Sequence, residues 1–164
     1  MVRPYKGYDA IVRAVRASNN GSVRLLISGS VQDESYRDEL LHLAEGDPRI
    51  QFDWGFSDEQ ELADQIAAAD VVACPFSNTL TSGSVLLAMT LGKALLLPES
   101  ATSLDCLDSE GILVFADDRE LVGIVNSLSH EDLAAKGRIN LKRASLFDWR
   151  TVGASTTDLY SRVL

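Results

Sequence analysis

A lysine and a glycine, Lys6 and Gly7, stand at the entrance of the first helix that the sequence predicts, residues 9–17. The amino terminus of a helix presents unpaired amides and the positive end of the helix dipole, so an adjacent ammonium group would create a site for a small anion. Gly7 would let the backbone approach such a ligand closely. An ordinary surface role for the lysine is the alternative that these two residues leave open.

A run of mostly small and hydroxyl-bearing residues, 78–84, leads directly into the apolar helical segment 85–89. Ser82, Gly83 and Ser84 would leave amides open at the helix start, and open amides can hold a diphosphate without a charged side chain. The same residues also fit a plain strand-to-helix loop, because Thr81 or Ser82 alone would cap the helix. The spacing matches neither the P-loop lysine motif nor the dinucleotide-binding glycine turn, which disfavours both classes.

The aromatic residues Trp54 and Phe56 flank Gly55 directly after a short β-rich run. They fit either packing at the edge of the core or a wall on which a nucleobase could stack. Cys74 lies inside an apolar run and is predicted to be a buried thiol, while neither it nor Cys106 has metal-ligand spacing. No combination of residues that would build a nucleophile is present, so we assign no catalytic residue and no metal site.

Short β-rich runs alternate with helical periods along the whole chain. The β-rich runs are residues 23–29, 49–54, 70–75, 93–98 and 111–115, and the helical periods are residues 9–17, 33–44, 57–69, 82–91, 118–128, 130–144 and 149–163. For the third helix we predict Ser57 as the cap and Gln60 as its capping-box partner. Strands separated by helices predict a parallel, doubly wound α/β sheet, whose ligands bind beyond the carboxyl ends of the strands.

The length of 164 residues and the 46% hydrophobic content predict one domain with one ample core. The formal net charge of −9 argues against binding to nucleic acid or to anionic membranes. The charge is uneven, because residues 1–24 hold five bases and one acid, whereas residues 33–70 hold twelve acids and two bases. A small anion is therefore favoured near the amino terminus.

The longest apolar stretch, residues 85–98, is interrupted by polar residues and is shorter than the roughly 20 residues that span a bilayer. Arg3 and Lys6 are followed by an amphipathic segment rather than by the apolar block of a signal peptide. We therefore expect no transmembrane segment and a reduced, cytoplasmic environment.

Several of these features stand in one order along the chain. They are Arg3 to Gly7, residues 25–29, residues 69–72, Pro75, and residues 82–89 with Gly92 and Lys93. Together they resemble the carboxyl-terminal half of a GT-B glycosyltransferase of the large retaining family 4, or group 1. In that family this half is a Rossmann-like domain that binds a nucleotide sugar, and an N-terminal companion domain binds the acceptor.

The resemblance implies a role for each candidate residue. These residues are Lys6, Gly7, Arg3, Ser82, Gly83 and Ser84 for the donor diphosphate, Trp54, Gly55 and Phe56 for the nucleobase, and Thr79 and Thr81 for the sugar. No cofactor and no metal are implied, because the nucleotide sugar is a substrate and the lysine and helix dipole offset its charge.

The sequence also departs from the family pattern. Two glutamates eight positions apart are usual there, and Thr79 and Leu87 hold those positions, neither of which accepts a ribose hydroxyl as a carboxylate would. The family arginine lies five or six positions before the lysine, so Arg3 is either a substitute or unrelated. The family's first strand should precede Arg3, so we expect residues 1–164 to be one donor-binding domain without that strand and without the N-terminal acceptor domain.

These observations predict a donor-binding domain of an enzyme that transfers a sugar from a nucleoside diphosphate, with surface-polysaccharide assembly as the expected setting. A single half is not expected to catalyse transfer alone, because the family's reaction occurs between the two halves. One rival is a non-catalytic interaction domain that kept the fold and lost donor binding. Another is a different α/β enzyme, such as a sugar epimerase.

Overall fold

The computed structural model describes residues 1–76, 83–101 and 106–163 of the chain. Within these ranges the strands are β1 (Leu25–Ser28), β2 (Ile50–Asp53), β3 (Val71–Ala73), β4 (Ala94–Pro98) and β5 (Ile112–Phe115). The α-helices are α1 (Tyr8–Ala17), α2 (Glu34–Ala44), α3 (Glu59–Ala68), α4 (Gly83–Thr90), α5 (Asp118–Ser127), α6 (His130–Ala144) and α7 (Trp149–Val163). Each predicted strand and helix is present within two residues of its predicted ends.

All the paired strands are parallel, as predicted. β1 pairs with β2, and β3, β4 and β5 form a second group in that order. Helical crossovers carry the chain back to the same end of the sheet, which is why neighbouring strands run in the same direction. Beyond the end of β1, Val2 makes a single parallel bridge to Val31.

Helices cover both faces of the sheet, as a doubly wound fold requires. Leu96 of β4 lies in one cluster with buried residues of α1, α2 and α5. Leu95 and Leu97 lie in another cluster with buried residues of α4 and the end of α6. Because successive residues of a strand point to opposite faces, the two clusters lie on opposite sides of the sheet.

Arg49 joins the carboxyl end of α1 to the start of β2. Its guanidinium group donates hydrogen bonds to the carbonyl oxygens of Val15 at 2.6 Å and Ser18 at 3.0 Å. The last carbonyls of a helix lack the usual partners within the helix, and Arg49 adds a hydrogen bond to those that Ser18 already donates to Val15. Hydrogen bonds from Arg49 also lower the pKa of Asp47 to about 2. Since Arg49 lies at the amino end of the sheet, the amino terminus of α1 is directed toward the carboxyl edge.

Gly137 allows α6 to lie directly on the turn between α4 and β4. A Cβ atom on Gly137 would overlap the carbonyl oxygen of Gly92. Fully buried Asn140 donates from Nδ2 to the carbonyl oxygens of Lys93 and Gly111, each at 2.8 Å. Since these residues precede β4 and β5, α6 holds the starts of both strands together.

The start of α3 differs from the prediction by one residue. Asp58, and not Ser57, is the cap: its Oδ1 accepts from the Glu61 amide at 2.8 Å, and Glu61 Oε2 accepts from the Asp58 amide at 3.1 Å. The prediction of Ser57 with Gln60 was wrong because the sequence offers two capping boxes in adjacent registers. Carboxylates form the stronger, charge-assisted hydrogen bonds, so the second register is adopted.

Within the described ranges, we find no helix whose length and apolar content would allow it to cross a membrane.

Replacing Gly137 with alanine is expected to lower the free energy of unfolding by about 1–3 kcal/mol, because the added methyl group overpacks a closed backbone contact. Gly123 in α5 provides a matched control, since a Cβ atom there meets nothing within 4 Å. Gly123→Ala should therefore raise the free energy of unfolding by about 0.5–1 kcal/mol. Urea denaturation measures both values, and equal effects would contradict the packing of α6 described above.

Candidate functional site

The ends of β1 and β2 meet the first residues of the chain at the carboxyl edge of the sheet. The amide of Gly29 donates to the carbonyl oxygen of Asp53 at 3.0 Å, and this hydrogen bond joins the carboxyl ends of β1 and β2. The amide of Val2 donates to the carbonyl oxygen of Ser30 at 2.8 Å. The amino-terminal segment, residues 1–7, therefore begins beside the end of β1.

The same segment ends beside β3. Gly7 has a φ of +69°, and a Cβ atom built on it would stand 2.6 Å from the carbonyl oxygen of Pro75, just after β3. Residues 1–7 thus cross from the carboxyl end of β1 to that of β3. A short 3-10 turn, Pro4–Lys6, brings Lys6 to this position.

Lys6 is half-buried, and its ammonium group forms no hydrogen bond or ion pair with any residue in the described ranges. Its charge acts on the nearby thiol of Cys74, but burial dominates there and raises the Cys74 pKa to about 11. Burial likewise raises the pKa of Tyr8 to about 12. Because both neighbours are uncharged at neutral pH, they leave the charge of Lys6 uncompensated. The predicted burial of Cys74 is confirmed, since it is 6% exposed.

The acid at the start of α1 is already paired. One oxygen of Asp9 contacts the Arg13 guanidinium at 2.8 Å, and the other accepts a hydrogen bond from the Tyr36 hydroxyl at 3.1 Å. The Tyr36 hydroxyl also accepts from the Asp9 amide at 3.3 Å. Gly7, the cap of α1, offers no side chain to the remaining amides. The amino terminus of α1 therefore keeps the positive end of its dipole beside Lys6.

Arg3 adds a second cation at this edge, on the side of β1. Its Nη2 atom donates to Gln32 Oε1 at 3.0 Å, and it has no carboxylate partner among the described residues. The pKa of the Met1 amino group is lowered, mainly by burial and to a smaller extent by the charges of Lys6 and Arg3. The positive groups of residues 1–6 are therefore close enough to act on one another.

The chain leaves β3 through Pro75 and later enters α4, whose first residues are Gly83 and Ser84. Both residues are exposed, and a Cβ atom on Gly83 would meet nothing within 4 Å. A helix that follows β3 begins at the carboxyl edge, and the first amides of a helix have no partners within it. Lys6 and Gly7 thus lie at the end of the strand that precedes α4.

Three predicted site residues, Ser82, Thr79 and Thr81, lie outside the described residues. Leu87, at one of the positions where glutamate is usual, is half-buried within α4.

The structure gives the aromatic residues of the predicted base region different environments. Trp54 is half-buried and stacks on Phe52, with ring centroids 4.6 Å apart and an interplanar angle of 19°. Phe56 is 86% exposed. Trp54 therefore has a packing partner within the protein, whereas the Phe56 ring is open to a ligand.

A cavity of about 470 Å³ lies beside these rings, between the end of β2 and α3. It is lined by Asp53, Trp54, Gly55, Phe56, Ser57, Glu61, Asp64 and Gln65. Sequence reasoning missed the contribution of α3, although helical spacing already placed Glu61, Asp64 and Gln65 on one face. In the part of the chain that the structure describes, no three acidic, histidine or cysteine side chains are grouped to hold a metal ion.

Comparison with known sequences identifies relatives of this chain. The model of the family described as "Glycosyl transferases group 1" matches residues 1–130. The GDP-mannose:glycolipid 4-beta-D-mannosyltransferase of Xanthomonas campestris pv. campestris is 26% identical over 154 residues, which are 93% of this chain and 44% of that protein. The chain therefore spans less than half the length of this curated relative.

Solved structures share the fold over nearly the whole chain. Anabaena HepE, solved in complex with UDP and glucose, has a TM-score of 0.80 at 20% identity, covering 98% of this chain and 46% of HepE. Sucrose-phosphate synthase from Thermosynechococcus elongatus has a TM-score of 0.79 at 20% identity, with coverages of 98% and 43%. The carboxyl-terminal domain of the Francisella tularensis protein LpcC has a TM-score of 0.74 at 16% identity, with coverages of 88% and 80%. The predicted Rossmann-like fold is confirmed.

The different environments of the two aromatic residues predict different costs of removing them. Trp54→Ala should lower the free energy of unfolding by about 1–3 kcal/mol, because it removes a ring packed on Phe52. Phe56→Ala should change it by no more than about 0.5 kcal/mol, because that ring is exposed. Urea denaturation compares the two variants, and a larger loss for Phe56→Ala would show that the assigned environments are wrong.

Proposed function

The chain belongs to the group 1 glycosyltransferases, as the resemblance predicted, and we propose that it is the half that binds the nucleoside-diphosphate sugar donor. One observation carries the proposal: Lys6, which has no ion pair among the described residues, directly precedes Gly7, and the Gly7 backbone meets Pro75 just after β3, the strand that leads to α4. Ligands of parallel α/β sheets bind at this edge.

The electrostatics of the edge suit a diphosphate. Lys6 faces neutral neighbours, and the carboxylate of Asp9 is held by Arg13 and Tyr36. The amino termini of α1 and α4 add backbone amides and the positive ends of two helix dipoles. Groups fixed in this way would stabilise the negative charge that develops on the departing diphosphate, which is usually the largest contribution such a site makes.

The relatives support the class of donor. HepE was solved with UDP and glucose, and the name of the Xanthomonas relative includes GDP-mannose. We propose a nucleoside-diphosphate sugar as donor, with GDP and UDP as the nucleotides to test. The acceptor named for the Xanthomonas relative is a glycolipid, which supports a role for the intact enzyme in surface-polysaccharide assembly.

We propose that transfer requires a companion half that binds the acceptor. HepE and sucrose-phosphate synthase are each more than twice as long as the part this chain covers. Within the described ranges β1 and β3 belong to separate hydrogen-bonded groups, and residues 1–7 run from the end of one to the end of the other. The proposal includes a further parallel strand of the intact enzyme between these two groups, as the resemblance implies. The present chain alone should bind the donor without transferring its sugar.

The rival is an interaction domain that kept the fold and lost donor binding. The half-buried Leu87, at a position where the family has a glutamate, favours this rival. It predicts a folded chain with no affinity for nucleoside diphosphates, so a binding measurement separates the two functions.

Calorimetric titration with GDP and with UDP tests the proposal. At least one nucleotide should bind, and Lys6→Ala should weaken binding about 10- to 100-fold, because it removes a charge-assisted contact to phosphate. Lys142→Ala is the matched control: it removes one exposed lysine from α6 and should change the affinity less than about twofold. A folded wild-type protein that binds neither nucleotide at millimolar concentration would support the rival, and an unchanged affinity in Lys6→Ala would contradict the role of Lys6.

A further inference from the structure

The turn that carries Lys6 rests directly on the backbone that leaves β3. Gly7 ends this turn and begins α1 with a left-handed φ of +69°. A Cβ atom on Gly7 would stand 2.6 Å from the carbonyl oxygen of Pro75 and 3.3 Å from its carbonyl carbon. Side chains in well-packed proteins do not approach backbone this closely, so the contact exists only because residue 7 has no side chain.

Protein backbone, and not a ligand, occupies the space on this side of Gly7. Close approach to a phosphate was the first reason to expect a glycine here, but the contact with Pro75 alone requires one. The absence of a side chain at residue 7 therefore sets the distance between the two parts of the chain that carry the proposed site. Lys6 precedes Gly7 directly, and the segment that leads to α4 begins at Pro75.

Backbone hydrogen bonds tie Gly7 to the turn before it and to the helix after it. The amide of Gly7 donates to the carbonyl oxygen of Pro4 at 3.0 Å, and the amide of Lys6 donates to that of Arg3 at 3.0 Å. On the other side, the amide of Ala10 donates to the carbonyl oxygen of Gly7 at 3.1 Å. A displacement of Gly7 away from Pro75 would therefore move Lys6 and the first turn of α1 with it.

From these contacts we infer that Gly7 is a positioning residue for the donor diphosphate: it sets the distance between the Lys6 ammonium and the end of β3 without touching the ligand. The inference rests on the proposed function and adds to it the element that places the charge. A cation displaced by about 1 Å from its phosphate loses much of its effect, because hydrogen bonds are short and directional.

Gly7→Ala, measured by titration with GDP and UDP, is the direct test. The variant should fold, with some loss of stability, and should bind the nucleotide about tenfold more weakly than the wild-type protein. Gly46→Ala is the matched control, because Gly46 has a similar φ of +79° but a Cβ atom there would meet nothing within 4 Å. It shares the backbone strain without the displacement, so its affinity should stay within about twofold of the wild-type value.

A double-mutant cycle shows whether Gly7 acts through Lys6. In a Lys6→Ala background, Gly7→Ala should change the affinity less than about twofold, since the charge that Gly7 positions is absent. An equal loss in both backgrounds, or a folded Gly7→Ala variant with wild-type affinity, would overturn the inference. Absence of nucleotide binding by the wild-type protein would instead overturn the proposed function, so the two failures are distinguishable.

Lys6→Arg decides the question if Gly7→Ala does not fold. This variant keeps the positive charge but moves it, because the guanidinium group is larger and its side chain longer. If the position of the charge matters, as the contact with Pro75 implies, the affinity should fall about fivefold or more. Wild-type affinity in Lys6→Arg would show that position is not critical and would overturn the inference.

Discussion

The approach of Gly7 to the carbonyl oxygen of Pro75 is the contact on which the proposed site depends. It brings the first residues of the chain to the end of β3, a strand about seventy positions later in the sequence. Without this contact Lys6 would be an ordinary surface lysine of the amino-terminal segment. With it, the lysine, the start of α1 and the strand that leads to α4 occupy one edge of a parallel sheet, where helix amino termini and strand carboxyl ends necessarily meet.

Local charge matters more at this edge than the net charge of the chain. The formal net charge of −9 would repel a long polyanion. A diphosphate is small, however, and at physiological ionic strength interactions between exposed charges are largely screened beyond about 8 Å. Of the described residues around Lys6, Cys74 and Tyr8 are neutral, Asp9 is already paired, and Arg3 and the Met1 amino group are positive like Lys6 itself. Half of the acidic residues, twelve of the twenty-four, lie in the segment 33–70, which includes the wall of the cavity beside α3.

Local sequence signals predicted the elements well, because the signals that begin helices are carried by single residues. The predicted bounds of α6 and α7 agree with the structure, where Ser129 and Asp148 accept hydrogen bonds from the first turns of these helices. The error at α3 arose where two capping boxes overlap in sequence and only hydrogen-bond strength selects between them.

Long-range contacts were predicted less well, for a physical reason. The contact between Gly7 and Pro75 joins backbone to backbone, so no pattern of side chains in the sequence predicts it. The cavity forms between the end of β2 and α3, so the sequence of α3 alone does not show that its carboxylates line a cavity. The predicted roles of Thr79, Thr81 and Ser82 stay predictions, since these residues lie outside the described ranges.

The convergence of the two chain segments on one ligand can be measured by NMR titration of the ¹⁵N-labelled protein with GDP and UDP. The amide signals of Gly7 and Tyr8, at the start of α1, and of Gly83 and Ser84, at the start of α4, should shift together and follow one saturation curve. Saturating nucleotide that shifts one pair and leaves the other unchanged would contradict a shared diphosphate site.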